Sequence, residues 1–410
     1  MMKVDCRKLM QFAAILYYSL SYLAEALPGG QVLWLLSLAL MILIALKQYS
    51  GRLAMKKGDG GLLIYIAFLT VYCILSRFWA HNPSLVSNKV NALAFILCAM
   101  LIIELCYSKE DKFTIFLKAV MYGGYIVVIF SFFRYGFSGI MGLLSNSERL
   151  SSGALNANGI GMCAAFSIVI NVHFVLQDHL RLRDGLIVPA AIILIVSQSR
   201  KAILIVALGL FGIYVLKNMN KKNFGLTVVR ILGVIFAFVL LFIALSKVPA
   251  LSKVYERIYE IFEMLVGEGV RGENSAWIRF AYNELGIELF KQHPVLGIGI
   301  NNASIYTQMY YGHNHYLHNN YIELLACGGF VGFTLYYAVY AYFLYSLWKY
   351  RIYRDHEYDI CLILLLLNLV MDYGAVSYYN KDTYILLYIY WTKINQLKKQ
   401  YKARRVLHAI

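Results

Sequence analysis

Between Gly312 and Glu323 the chain reads Gly-His-Asn-His-Tyr-Leu-His-Asn-Asn-Tyr-Ile-Glu, a polar island directly ahead of a long apolar run. Three histidines (His313, His315, His318) and three asparagines (Asn314, Asn319, Asn320) stand where a membrane helix should begin. Such groups are expensive in hydrocarbon, so a cluster of them marks a watery cavity or a site. His318 sits nearest the apolar run. An imidazole, with an ordinary pKa of about 6.5, is the natural base for a hydroxyl at neutral pH. Glu323 follows Asn319 on the same helical face, where it can orient the amide or share its network. The plainer reading of His318 is an interfacial residue at a helix start, and His313 and His315 share both readings. A metal site built from all three is disfavoured, because their i, i+2, i+5 spacing does not share one helical face.

Two arginines invite a related question. Arg200 lies in the polar knot Ser197-Gln198-Ser199-Arg200-Lys201 between two apolar runs, and Arg279 lies in Ala276-Trp277-Ile278-Arg279-Phe280. A guanidinium is a planar fork that suits phosphate oxygens and never loses its charge. Two of them converging on a pyrophosphate would stabilise a leaving group without a metal. The alternative is that Arg200 reaches to lipid headgroups and Arg279 is a solvated surface charge. Asn156 and Asn158 open another apolar run; they cap its helix or bind sugar hydroxyls, and capping is the simpler reading. Gly328, Gly329 and Gly332 read as small packing positions in a membrane helix.

The elements that must position these groups follow from composition. The 410 residues are 60% hydrophobic and only 15% charged, too little charge for a soluble protein of this size. Apolar runs of bilayer-crossing length recur along the chain. We expect an all-α polytopic membrane protein with about twelve transmembrane helices, near 9–27, 31–47, 61–79, 89–106, 113–134, 153–176, 185–198, 201–217, 227–246, 318–347, 359–377 and 383–397. The seventh is short and reads as tilted or partly re-entrant; the tenth is long. The organisation is then residues 1–246 with helices one to nine, an external loop at 247–317, and residues 318–410 with the last three helices and a basic tail. The loop is patterned as an amphipathic helix over 251–265, glycines, and a second helix from Asn274 or Ser275 to Gln292, before Pro294, Gly297 and Gly299. It reads as a lid on the outer membrane surface.

The net charge of +16 falls mainly on every second loop, as the positive-inside rule expects, so both termini are expected in the cytoplasm and nucleic acid is not expected as a partner. The basic tail is expected against anionic membrane lipids. Seven cysteines without a CxxC pair read as packing residues. The N-terminal run, lacking a small-residue cleavage pattern, reads as a retained first helix. No P-loop, HExxH or GxSxG occurs, and no Asp-x-Asp pair falls in the external loop. The intramembrane acids Glu25, Glu104 and Asp372 are scattered, which weakens a proton-relay transporter.

The segment His318-Asn319-Asn320-Tyr321-Ile322-Glu323-Leu324-Leu325-Ala326-Cys327-Gly328-Gly329-Phe330-Val331-Gly332 resembles the hallmark of the bacterial O-antigen ligase and Wzy-type polysaccharide polymerase superfamily. Arg279 followed by His293-Pro294-Val295-Leu296-Gly297-Ile298-Gly299, Ser199-Arg200 at the head of a central span, and Asn156-Ala157-Asn158 are similar to three further patterns of that family, in the same order. The departure is Cys327, where the family often carries an acidic or polar residue.

The resemblance implies a glycosyltransferase in the bacterial inner membrane. Its donor would be an undecaprenyl-pyrophosphate-linked glycan, and its acceptor a sugar hydroxyl on a second chain. Lipid pyrophosphate would leave with inversion, with no metal and no nucleotide cofactor. His318 would be the general base or acceptor-orienting group, and Arg200 and Arg279 would hold the pyrophosphate. His313, His315, Asn158, Asn319 and Glu323 would be secondary substrate contacts. A chain-length regulator protein is a further implied partner. A polymerase of repeat units for O-antigen, capsule or exopolysaccharide is preferred; the alternative is a ligase moving a finished glycan onto a lipid A core or another acceptor. A flippase or transporter fits less well, because it would show paired halves and midplane charges.

Overall fold

The computed structural model describes residues 6–24, 26–56, 58–146, 148–150, 156–178, 180–218, 233 and 275–407. The apolar runs form helices because lipid leaves the backbone no other partner than itself. In chain order the α-helices are α1 (Cys6–Leu23), α2 (Gly30–Gln48), α3 (Gly61–Leu75), α4 (Pro83–Cys106), α5 (Lys112–Tyr135), α6 (Phe137–Ser145) and α7 (Ala157–Val175). They continue as α8 (Ile187–Ser197), α9 (Arg200–Asn218), α10 (Ser275–Gln292), α11 (Ala303–Tyr311), α12 (Asn320–Lys349), α13 (His356–Asp372) and α14 (Lys381–Leu407). No strand occurs among the described residues.

Seven of the described helices are long and apolar enough to cross a membrane: α2, α3 with the 3-10 turn that follows it, α4, α5, α7, α9 and α12. Helices α1, α8, α13 and α14 occupy further expected runs without reaching that measure. The expected ninth run at 227–246 and the amphipathic helix at 251–265 lie outside the described residues. The seventh run is a 3-10 turn followed by α8, whose 11 residues extend roughly 16 Å, well under a bilayer core of about 30 Å. Helices α6 and α11 are additions to the sequence expectation.

The chain divides into two units, residues 1–40 with 114–269 and residues 41–113 with 270–410. In the first, α7 is the most enclosed of the membrane-length helices and packs on α8 and α9. It meets α5 closely at Gly124, where an added Cβ would come within 2.1 Å of Ser167 Oγ. That approach lets the Ser167 hydroxyl donate to the Met121 carbonyl at 2.9 Å.

In the second unit α3 packs on α4, α10 on α12, and α13 and α14 on each other and on α12. Lys112 sits buried between Asp59, at 2.8 Å, and Glu104, which also accepts from the Tyr388 hydroxyl at 2.9 Å. Asp372 accepts from Tyr337 at 2.9 Å, from Ser377 at 2.5 Å and from Asn320. These acids are therefore satisfied structural groups, as buried charges must be. Glu25 lies outside the described residues.

The tenth expected span is one helix only in outline. Gly329 takes φ +59° and ψ −167°, which interrupts α12. The loop Pro294–Ile298 fills the interruption. Pro294 and Val295 carbonyls accept the Phe330 and Val331 amides at 2.8 and 3.1 Å, and the Ile298 amide donates to the Ala326 carbonyl at 3.0 Å. The approach is so close that a Cβ on Gly329 would fall 2.3 Å from the Val295 oxygen. The glycines were expected to bring helices together; Gly332 does so against Tyr72 of α3, whereas Gly329 admits a loop.

Candidate functional site

Positioning of the polar island begins with Asn319 and Asn320. The Asn319 side chain caps α12, accepting from the Tyr321 and Ile322 amides at 3.0 and 3.3 Å. Asn320 is fully buried and clamps the neighbouring loop through the Ser377 and Tyr378 amides at 2.9 and 3.2 Å. Glu323, also buried, turns back to accept the Leu317 amide at 2.8 Å, and receives the Cys327 thiol at 3.7 Å. Cys327 thus keeps a polar contact at the position where it departs from the family pattern. Leu317 before and Asn319 after are both buried, and His318 between them adopts φ +58°. A left-handed conformation at a non-glycine residue costs roughly 1–2 kcal/mol, and such strain concentrates at functional sites.

The His318 ring is bounded by aromatic rings. Tyr316 lies 4.3 Å away, centroid to centroid, and Tyr282 lies parallel at 6.1 Å with 4° between planes. His315 is also 6.1 Å away, and His313 is a further 6.3 Å from His315. Tyr282 and Arg279 share α10, one turn apart. Burial pushes the Tyr316 hydroxyl above its ordinary pKa, while the charge of Arg279 opposes that rise and Glu323 adds to it. Arg279, Tyr316 and His318 thus form one constellation. Asn319 and Glu323 brace it from beneath, while His313 and His315 are exposed.

Lys89, on α4, is a cation that sequence reasoning passed over. Its Nζ lies 3.4 Å from the centroid of Tyr379, and its charge acts on Glu323. Burial raises the Tyr379 hydroxyl, and Glu323 and Tyr316 raise it further. The only local hint was a lysine at the expected start of the fourth apolar run.

The first unit holds Arg200 and Asn158. The backbone reverses between α8 and α9 at Gln198, which has φ +48°, and Ser197, Gln198 and Ser199 are all buried. Asn156 caps α7 by accepting the Asn158 amide at 2.9 Å. That leaves the Asn158 side chain to accept from Arg149 Nη2 at 3.0 Å, and Arg149 Nε donates to the Ser197 carbonyl at 3.2 Å. Arg149 therefore ties the Asn-x-Asn segment to the Ser-Arg knot. Neither its neighbours nor its spacing marked it, since its partner Ser197 lies 48 residues away.

Among the described residues no group of three or more His, Cys, Asp or Glu is arranged to hold a metal ion. What the groups present can do is bind an anion by guanidinium, ammonium and amide, and accept a proton on an imidazole.

Residues 185–337, which include Arg200, Arg279 and the whole island from His313 to Glu323, match the family model described as O-antigen ligase (Wzy_C). No curated protein matches the chain. Residues 185–337 are thus similar to an O-antigen ligase domain, set in a chain with seven described helices long and apolar enough to cross a membrane.

Proposed function

We propose that the protein transfers a glycan from an undecaprenyl-pyrophosphate carrier to a sugar hydroxyl, and that its physiological role is polymerisation of repeat units for O-antigen, capsule or exopolysaccharide. The observation that carries this reading is the constellation of Arg279, Tyr316 and His318 inside the matched domain. His318 takes the proton of the acceptor hydroxyl as its oxygen attacks the anomeric carbon. The bond from that carbon to the pyrophosphate oxygen breaks, and inversion follows. Arg279, supported by the charge of Lys89, stabilises the negative charge that develops on the leaving group. Arg200, with Arg149 and Asn158, supplies a further set of anion donors. His313, His315 and Asn319 lie about His318 as secondary contacts, while Glu323 acts through the Leu317 amide it holds. The reading needs no metal or nucleotide. In this reading the site faces the external side, the termini lie in the cytoplasm, and a chain-length regulator is a protein partner.

The test is turnover of the host's lipid-linked glycan by purified protein in nanodiscs. Transfer is expected to survive chelator and to fall at least 100-fold in His318→Ala and in Arg279→Ala that melt like wild type. Activity lost to chelator, or retained in both variants, would overturn the mechanism. Supplying a lipid A core as sole acceptor separates the ligase alternative: single transfer without chain growth would assign the protein to that role.

A further inference from the structure

Beside the His318 pocket, α10 and α11 face each other across a cavity of about 570 Å³. Glu284, Glu288 and Gln292 recur every fourth residue along α10 and so form one stripe on its wall. Tyr306 and Tyr310 recur at the same interval on α11, with Tyr311 beside them. The Tyr310 side chain is 68% exposed. Gln292 donates to Glu288 at 3.2 Å, and Lys291 lies 3.7 Å from the same carboxylate, so the polar wall carries donors as well as acceptors. Tyr306 also lines a second cavity of about 470 Å³, where it meets His81 at 6.1 Å beside Trp79 and His293. At the other end Tyr311 lies 5.4 Å from Tyr282, the ring parallel to His318.

A saccharide has two unlike surfaces. Its C–H face is apolar and weakly positive, which suits the negative face of an aromatic ring, and its hydroxyl edge needs carboxylates and amides. Two walls, one carrying rings and the other carrying carboxylate and amide groups among Leu285, Ile287 and Leu289, match those surfaces. The two carboxylates also disfavour a pyrophosphate, which separates this groove from the guanidinium-bearing pocket.

We propose that the groove between α10 and α11, continuing past Tyr306, is a saccharide subsite that holds a glycan at a distance from its reacting hydroxyl. This rests on the glycan-transfer reading above and adds a place for the chain. Rings on α11 carry the stacking, and Glu284, Glu288 and Gln292 take the hydroxyls.

The probe is the lipid-free oligosaccharide released by mild acid from the host's own lipid-linked glycan. Its binding to full-length protein in nanodiscs is read by saturation-transfer NMR and titration, beside donor turnover on the same preparations. Wild type is expected to bind it. Tyr310→Ala should weaken binding about tenfold, the double variant Tyr306→Ala/Tyr310→Ala more, and Tyr310→Phe, which keeps the ring, little. Glu288→Gln, at an exposed position, should weaken it severalfold. Absence of saturation transfer in wild type, or equal binding in wild type and the double variant, overturns the subsite even where donor turnover is intact. Binding lost as expected, with donor never consumed by wild type, supports the subsite and overturns the transfer reading instead.

Discussion

The two polar clusters are built by opposite means. Around Arg200 one side chain makes the link: Arg149 donates to the Ser197 carbonyl and to the Asn158 side-chain oxygen, and among the described residues of that knot Gln198 alone has left-handed backbone. Around His318 the backbone itself is bent. Gly297, Gly299, Asn301, Gly312, His318 and Gly329 all have positive φ. Asn301 in its bend reaches the Leu85 carbonyl at 2.9 Å, and Asn302 accepts the Asn82 amide at 2.6 Å, so the loop is fixed to the start of α4. The first arrangement suits a charge clamp, whose geometry tolerates adjustment. The second suits a proton acceptor, which must sit within hydrogen-bond reach of one oxygen.

The comparison can be broken first at His318. Asparagine accepts left-handed backbone well but titrates nothing, so His318→Asn should lower transfer about 1,000-fold while leaving the melting temperature unchanged. Comparable turnover in that variant would move the proton acceptor elsewhere. Gly329→Ala comes next. It adds a Cβ against the Val295 carbonyl in a conformation alanine avoids, and should cost about 3 kcal/mol of stability by thermal melting.

Arg149→Lys sharpens the other side. It keeps the charge and loses the fork, so the donor KM should rise about tenfold with a smaller change in kcat and little change in melting. The smallest effect concerns pH. The raised Tyr316 hydroxyl favours its neutral form in the folded pocket, so the stability it lends is intact below the ordinary tyrosine pKa of about 10 and is lost as pH climbs beyond it. Tyr316→Phe should flatten that alkaline loss in a melting series between about pH 8 and pH 11.

Much of the frame was legible in order. Ser275 and Gln292 bound α10 close to the expected limits, and the polar island does precede a membrane-length helix. Local signals carried these features: caps, glycine and proline stops, and runs of apolar length. What they could not carry is pairing across the chain. Lys89 and Arg149 look like ordinary surface cations until Tyr379 and Asn158 are brought beside them. The interruption at Gly329 was read as helix packing because three small residues in an apolar run fit both. Helix α11 was hidden by its polar and aromatic content, which has no clear periodicity over so short a stretch. Left-handed backbone at His318 follows from the burial of both its neighbours, a tertiary fact.

The interruption in α12 also ties down the segment that follows α10. Pro294 and Val295 are moored to it by the Phe330 and Val331 amides, and pulling them away would cost those amides these partners, at several kcal/mol each if left unpaired in an apolar setting. With α10 itself packed on α12, the proline-glycine turn is a fixed post at the end of α10.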